Sequence, residues 1–301
     1  MTGEKDNIRK EIFLKLSTIE NLPVMPQIAM DIMSYVDDED TSIQKIADII
    51  SKDPALSAQV LKVANSAFYS LRRNVGSLEL AIILLGLREI KNIIFMMSVF
   101  RLFPRDSEFC FNEIDYLKHS ILTGQTAQTL CGLFDLKFDS SPFLLGLLHD
   151  IGKIFIDQNF HEKYTIVIEQ ANKNEASIYE IEEDRLGTNH AEIGAKIASG
   201  WNFPLEFVDC IRHHHDAQNS QENMLLASVI YMANLLTNAR NIGLPSPSRG
   251  IDIAENPVWK IILGSDKKGN ALDIEKILFE IDDELKKSEE IISIYSKKLK
   301  Y

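Results

Sequence analysis

The sequence predicts an all-α protein, on three observations. Apolar residues recur at helical spacing, helix-start signals precede several of these runs, and no stretch shows sustained period-two alternation. Thr41 or Ser42 can cap a helix whose apolar face is Ile43, Ile46, Ala47 and Ile50. Asp53 followed by Pro54 is a second start, a carboxylate cap before a proline at the first helical position, with Leu56, Val60, Val63 and Ala64 behind it. Ser77 can cap a third helix through Leu78, Ala81, Ile82 and Leu85. Residues 1–110 therefore read as an N-terminal helical subdomain.

Pro104 and the scattered charges between Phe103 and Asn112 mark a boundary. Beyond it the candidate helices carry histidines among their apolar residues: Asp115 to Cys131, Ser141 to Phe155, Glu162 to Ala171, Asn189 to Gly200, Leu205 to His214 and Asn223 to Thr237. Trp201 to Pro204 breaks the chain between two of them, and Gly243 to Gly250, with Pro245 and Pro247, reads as a loop. Residues 111–265 form the second expected domain and 266–301 a C-terminal helix. In that helix Ile274, Leu278, Ile281, Leu285, Ile292, Tyr295 and Leu299 follow a seven-residue repeat, with Ser288 the polar exception. A homodimer seam and a terminal helix lying on its own domain both fit this pattern, and the shortness of the repeat favours the second.

The 301 residues include 45% hydrophobic and 25% charged side chains, enough apolar material for a sizeable core. A formal net charge of −12 argues against a general nucleic-acid binder, which needs clustered Lys and Arg. Cys110, Cys131 and Cys210 are far apart and form no CxxC, so neither a disulfide framework nor a zinc ribbon is expected. The N-terminus lacks the apolar core of a signal peptide, and the run from Ile93 to Phe100 is too short to span a bilayer and is closed by Arg101. The expectation is a soluble cytoplasmic protein without membrane partners.

Seven histidines carry the functional argument: His119, His149, His161, His190, His213, His214 and His215. At Leu147-Leu148-His149-Asp150-Ile151-Gly152-Lys153 an apolar helix end runs into an imidazole beside a carboxylate. An ionised carboxylate in an apolar wall needs a partner. A divalent metal would serve, since neutral imidazole and carboxylate are both ligands. Alone the pair reads as a hydrogen-bonded cap; with His119, His190, His213 and His214 it becomes the centre of a ligand set.

Further signatures lie at Leu22-Pro23-Val24-Met25-Pro26, Asp53-Pro54-Ala55-Leu56-Ser57, Val63-Ala64-Asn65-Ser66-Ala67-Phe68-Tyr69 and Leu84-Leu85-Gly86-Leu87-Arg88. Later ones are His119-Ser120, Gly146 to Lys153, His190-Ala191-Glu192-Ile193-Gly194, Trp201-Asn202-Phe203-Pro204 and Ile211-Arg212-His213-His214. Together they resemble the HDOD domain, the HD-related output domain of bacterial signalling, within the HD metal-dependent phosphohydrolase superfamily. The resemblance implies that His119, His149, Asp150 and a late residue hold one metal. Asn234 stands at that late position where the superfamily has an aspartate. It further implies that His190, His213 and His214 hold a second ion with Asp150 as the bridge. Five imidazoles and one carboxylate suit one or two transition-metal ions, iron, manganese or zinc. Asp150 and Lys153 are the candidate catalytic residues, Lys153 resembling a lysine that meets substrate phosphate. No Gly-Tyr-Pro follows the late histidines, which disfavours the branch that degrades cyclic di-GMP.

Two functions remain open on the sequence. One is a signalling protein that keeps a metal pocket and acts mainly through contacts with a protein partner. The other is a phosphohydrolase acting on a phosphate mono- or diester. His161 and His215 match no role and are expected at the surface, while Met25, Met30, Met33, Met96 and Met97 are expected as core filler.

Overall fold

The computed structural model describes residues 2–18, 27–36, 42–66, 68–103, 108–174, 176–240, 242, 252–265 and 272–296. Every regular element among them is helical. The signature at 22–26, Ala67, the expected loop at 243–250 and Leu299 lie outside the described residues, as do the side chains of Met33 and Tyr295. No described helix is long and apolar enough to cross a membrane.

The chain divides into two compact units. One comprises Val24–Ser107 with Leu285–Tyr301, and contains α2 (Gln27–Val36), α3 (Ile43–Ser51), α4 (Pro54–Ala64), α5 (Leu78–Leu85) and α6 (Leu87–Phe100). The expected caps form. Ser42, Asp53 and Ser77 accept from the backbone N–H of Lys45, Leu56 and Leu80, each such cap contributing about 1 kcal/mol. Asp53 also takes Arg101 Nη1 at 2.9 Å. Asn65 pairs with the backbone of Val75 in both directions, its Oδ1 accepting at 2.7 Å and its Nδ2 donating at 2.9 Å, and so closes the loop between α4 and α5. Helix α6 is the core of this unit: Ile90, Ile93, Ile94, Phe95, Met96, Met97, Val99 and Phe100 are all buried.

The other unit comprises Met1–Pro23 with Glu108–Glu284. It holds α1 (Thr2–Leu16), α7 (Glu113–Leu133), α8 (Pro142–Leu148), α9 (Ile151–Asn174), α10 (Ile178–Leu186), α11 (His190–Gly200), α12 (Leu205–Arg212), α13 (Met224–Asn238) and α14 (Trp259–Gly264). Helix α15 (Ile274–Ser296) begins here and ends in the first-described unit. The first 110 residues therefore do not form one subdomain. Arg9 on α1 donates through both terminal nitrogens to the Glu192 carboxylate at 2.8 and 2.6 Å and reaches the Gly187 carbonyl at 2.5 Å, which ties α1 to α11. A bidentate guanidinium–carboxylate pair fixes orientation as well as distance.

Two expected helices are divided differently. The run from Ser141 to Phe155 breaks at His149-Asp150, and the run from Glu162 to Ala171 is the second half of α9, kinked at Phe160. In α15, Ile281, Ser288 and Ile292 are buried within the chain, so part of the heptad seam faces intramolecular contacts. Phe279 on the same helix is exposed.

Close backbone approaches position the histidine-bearing helices. A Cβ on Gly146 would lie 2.5 Å from the Gly124 backbone, so α8 crosses α7 glycine against glycine. A Cβ on Gly152 would run into the His190 carbonyl, which sets α9 against α11. Gly146→Ala must push backbone from backbone and is expected to lower unfolding free energy by about 3 kcal/mol, the upper end for overpacking. A melting temperature equal to that of the wild type would contradict the crossing.

Candidate metal centre

His149 and Asp150 form the turn between α8 and α9. Leu147, Leu148 and Ile151 around them are fully buried, and the apolar wall carries the polar pair inside with it. His149 is 0% exposed and Asp150 2%. His119 comes from the second turn of α7 and His190 from the first turn of α11. His214 and His215 follow the end of α12.

Four of these rings, those of His119, His149, His190 and His214, are oriented through their outer nitrogens. His149 Nδ1 donates to the Gly146 carbonyl at 2.7 Å, His214 Nδ1 to the Ile211 carbonyl at 2.7 Å and His119 Nδ1 to the Ile242 carbonyl at 3.1 Å. A carbonyl only accepts, so these rings carry their proton on Nδ1 and turn the Nε2 lone pair inward. His190 Nδ1 faces Glu182 Oε2 at 2.6 Å. Glu182 is itself fully buried and also accepts from the His190 backbone N–H at 2.8 Å and, through Oε1, from the Tyr164 hydroxyl at 2.8 Å.

The inner nitrogens gather around Asp150. Nε2 of His119 and His149 lie 3.6 and 3.3 Å from Oδ2, and Nε2 of His190 and His214 lie 3.1 and 3.7 Å from Oδ1. Nε2 of His190 is 2.9 Å from that of His215 and 3.3 Å from that of His214. Lys153 Nζ donates to Asp150 Oδ2 at 2.7 Å. Asp150 Oδ1 is buried and, among the described residues, has no partner in hydrogen-bond geometry.

Electrostatics agree with this arrangement. Burial pushes the His119 and His214 imidazoles down to about 3, and neighbouring imidazoles add to the effect, so both rings are neutral near pH 7. His215 is lowered by burial and by His214 and His190. Burial opposes the charge on Asp150, yet His149, Lys153 and His190 hold its carboxyl well below the usual range. Burial likewise opposes protonation of His190, and Glu182 overcomes it, leaving that imidazole above its ordinary value.

Inward lone pairs facing a buried carboxylate oxygen that lacks a hydrogen-bond partner fit a divalent cation. The donors fall into two groups sharing Asp150: one with His190, His214 and His215, the other with His119 and His149. Neutral imidazole with carboxylate is a donor set for iron, manganese or zinc. The outer contacts to carbonyls and to Glu182 are the second layer that orients such ligands.

Six of the expected site residues thus converge: His119, His149, Asp150, Lys153, His190 and His214. His213 does not join them. As the residue just past the end of α12, it is held by Asp216 at 2.8 Å, with Asp209 at 3.6 Å. His215, expected at the surface, takes the inner position instead and packs against Tyr179 with ring centroids 4.5 Å apart. The helix ends two residues before the expected His214, and that shift decides which imidazoles face in. His161 does lie near the surface, bonded to Asp157 at 2.7 Å. Asn234 is buried on α13, which packs against α7, and its Oδ1 already accepts from Asn238 Nδ2 at 3.0 Å. Glu182 is absent from the sequence-based set. It is one of four acidic residues between Glu180 and Asp184, and nothing in that run distinguishes the one turned inward.

The HDOD domain family model matches residues 22–217, more than half of the chain. A curated relative, an uncharacterized protein of Treponema pallidum, is 24% identical over 219 residues, which cover 72% of this chain and 42% of that protein. The chain therefore spans less than half of that relative's length. Among solved structures, an HDOD domain protein of Geobacter sulfurreducens matches with a TM-score of 0.80 and 24% identity over 98% of each chain. A candidate phosphohydrolase of Shewanella amazonensis matches with a TM-score of 0.70 and 22% identity over 94% of this chain and 97% of that one. At these identities the structural likeness establishes the fold.

The inner and outer positions of the triple histidine are separable by mutation. His215→Ala is expected to weaken binding of added zinc or manganese at least tenfold, whereas His213→Ala leaves it within twofold. Isothermal titration of the chelator-stripped protein decides, and the reverse order would contradict the placement.

Proposed function

Because the chain belongs to the HDOD family, we propose that it is a signal-transduction regulatory protein that retains a divalent-metal pocket and acts mainly through contacts with a protein partner. The observation that carries this reading is Asn234. The position where a hydrolase of this superfamily would supply a carboxylate offers a neutral amide, whose oxygen accepts from Asn238. A site that loses this carboxylate keeps enough imidazoles to bind an ion while losing charge and a ligand needed to activate it.

The convergence of the other donors supports a second reading, a phosphohydrolase acting on a phosphate mono- or diester. Bound metal would supply Lewis-acid polarisation of a phosphate oxygen. His119, His149, Asp150, His190, His214 and His215 would hold it, Glu182 would orient His190, and Lys153 would offer a cation to the phosphate. Against this, Lys153 Nζ is buried and bonded to Asp150, so its charge is directed at the carboxylate. Neither reading requires a nucleic-acid surface, and the phosphate-containing ligand belongs to the second alone. The cytoplasm remains the expected compartment.

With manganese present, purified protein is expected to show no turnover of bis-p-nitrophenyl phosphate above the Asp150→Ala control. Turnover by the wild type that Asp150→Ala abolishes would overturn the regulatory reading and establish the enzyme.

A further inference from the structure

The two halves of the Asp150 centre are not equivalent. On the Oδ1 side, His190, His214 and His215 complete a set of four protein donors with the carboxylate, the number a tetrahedral transition-metal site uses. That oxygen is buried and lacks a hydrogen-bond partner among the described residues. A second anion, the fully buried Glu182, stands behind His190 at 2.6 Å and adds negative charge to this side.

The Oδ2 side has fewer donors and a cation of its own. Among the described residues, only His119 and His149 join the carboxylate there. The remaining donor expected from the family, Asn234, is neutral and engaged by Asn238. Lys153 Nζ already sits 2.7 Å from Oδ2, closer than either imidazole at 3.6 and 3.3 Å. The lysine is held in place by its backbone, since it lies one turn after Asp150 with its N–H bonded to the Asp150 carbonyl at 2.9 Å. Its side chain is 9% exposed, so the ammonium is not free to withdraw to solvent without uncovering Oδ2. A divalent ion on this side would have to share one carboxylate oxygen with a buried ammonium, and like charges at such distances repel strongly in a poorly solvated interior.

We propose that this is a single-ion centre: the ion belongs to Asp150 Oδ1, His190, His214 and His215, while Lys153 is a built-in cation that takes the place of a second ion between Asp150 Oδ2, His119 and His149. The inference rests on the metal-holding reading above and adds which half of the pocket holds the ion. It departs from the family-based expectation that His119, His149 and Asp150 hold an ion of their own.

The test is metal stoichiometry of the full chain, stripped with chelator, equilibrated with manganese or zinc and measured by elemental analysis. The wild type is expected to hold one equivalent and Lys153→Met to approach two. Two equivalents in the wild type, or one in a folded Lys153→Met, would overturn the proposal while leaving a metal centre in place. No ion in either protein would instead remove the metal-holding reading itself. Should Lys153→Met fail to fold, two other variants decide. His119→Ala is expected to keep one equivalent, and His190→Ala to bind at least a hundredfold more weakly; the opposite order would overturn the assignment.

Discussion

A carboxylate buried to 2% exposure organises the centre of this protein. Removing an ion of that kind from water costs several kcal/mol unless partners replace the lost solvation. Asp150 cannot retreat, because it occupies the two-residue turn between α8 and α9 and both flanks are fully buried leucine and isoleucine. The neighbourhood has to supply the charge compensation: an ammonium from Lys153 on one oxygen, and on both oxygens imidazole nitrogens able to hold a cation against the carboxylate. Those partners arrive from α7, α9, α11 and the turns after α8 and α12, so the packing of these helices answers to one side chain.

The packing meets that demand through backbone contact. Gly124 against Gly146 and Gly152 against the His190 carbonyl allow α7, α8, α9 and α11 to approach more closely than any larger residue would permit. The histidines are then fixed by their outer nitrogens on main-chain carbonyls or on Glu182, so that ring orientation is set before any ligand enters. This is preorganisation in a literal sense: the bonds that aim the rings are distinct from those an ion would use. The same side chains that would hold an ion also complete the interior of the fold.

Much of this was legible in the chain order. Ser42, Asp53 and Ser77 announced three helices because capping chemistry is local, and the apolar spacing of α6 announced a buried helix for the same reason. The His149-Asp150 pair announced a polar centre because a carboxylate carried inside by an apolar run must find charge or hydrogen-bond partners there. Less legible were features that depend on where an element stops or on what crosses it. The end of α12 at Arg212, two residues short of the expected end, exchanged His213 for His215. Glu182 braces His190 only because α10 passes behind that ring, and α1 is tied to α11 because Arg9 pairs with Glu192 across 183 positions of chain.

The sequence by itself determined that the protein is helical, that it belongs with HDOD proteins, and which residue types meet at its centre, since periodicity, caps and motif spacing are properties of neighbouring residues. Only the tertiary structure decided which imidazoles face Asp150, which carboxylate braces them, and that the two oxygens of one aspartate have different partners. Those outcomes depend on distances between helices far apart in the chain, and no local pattern encodes them.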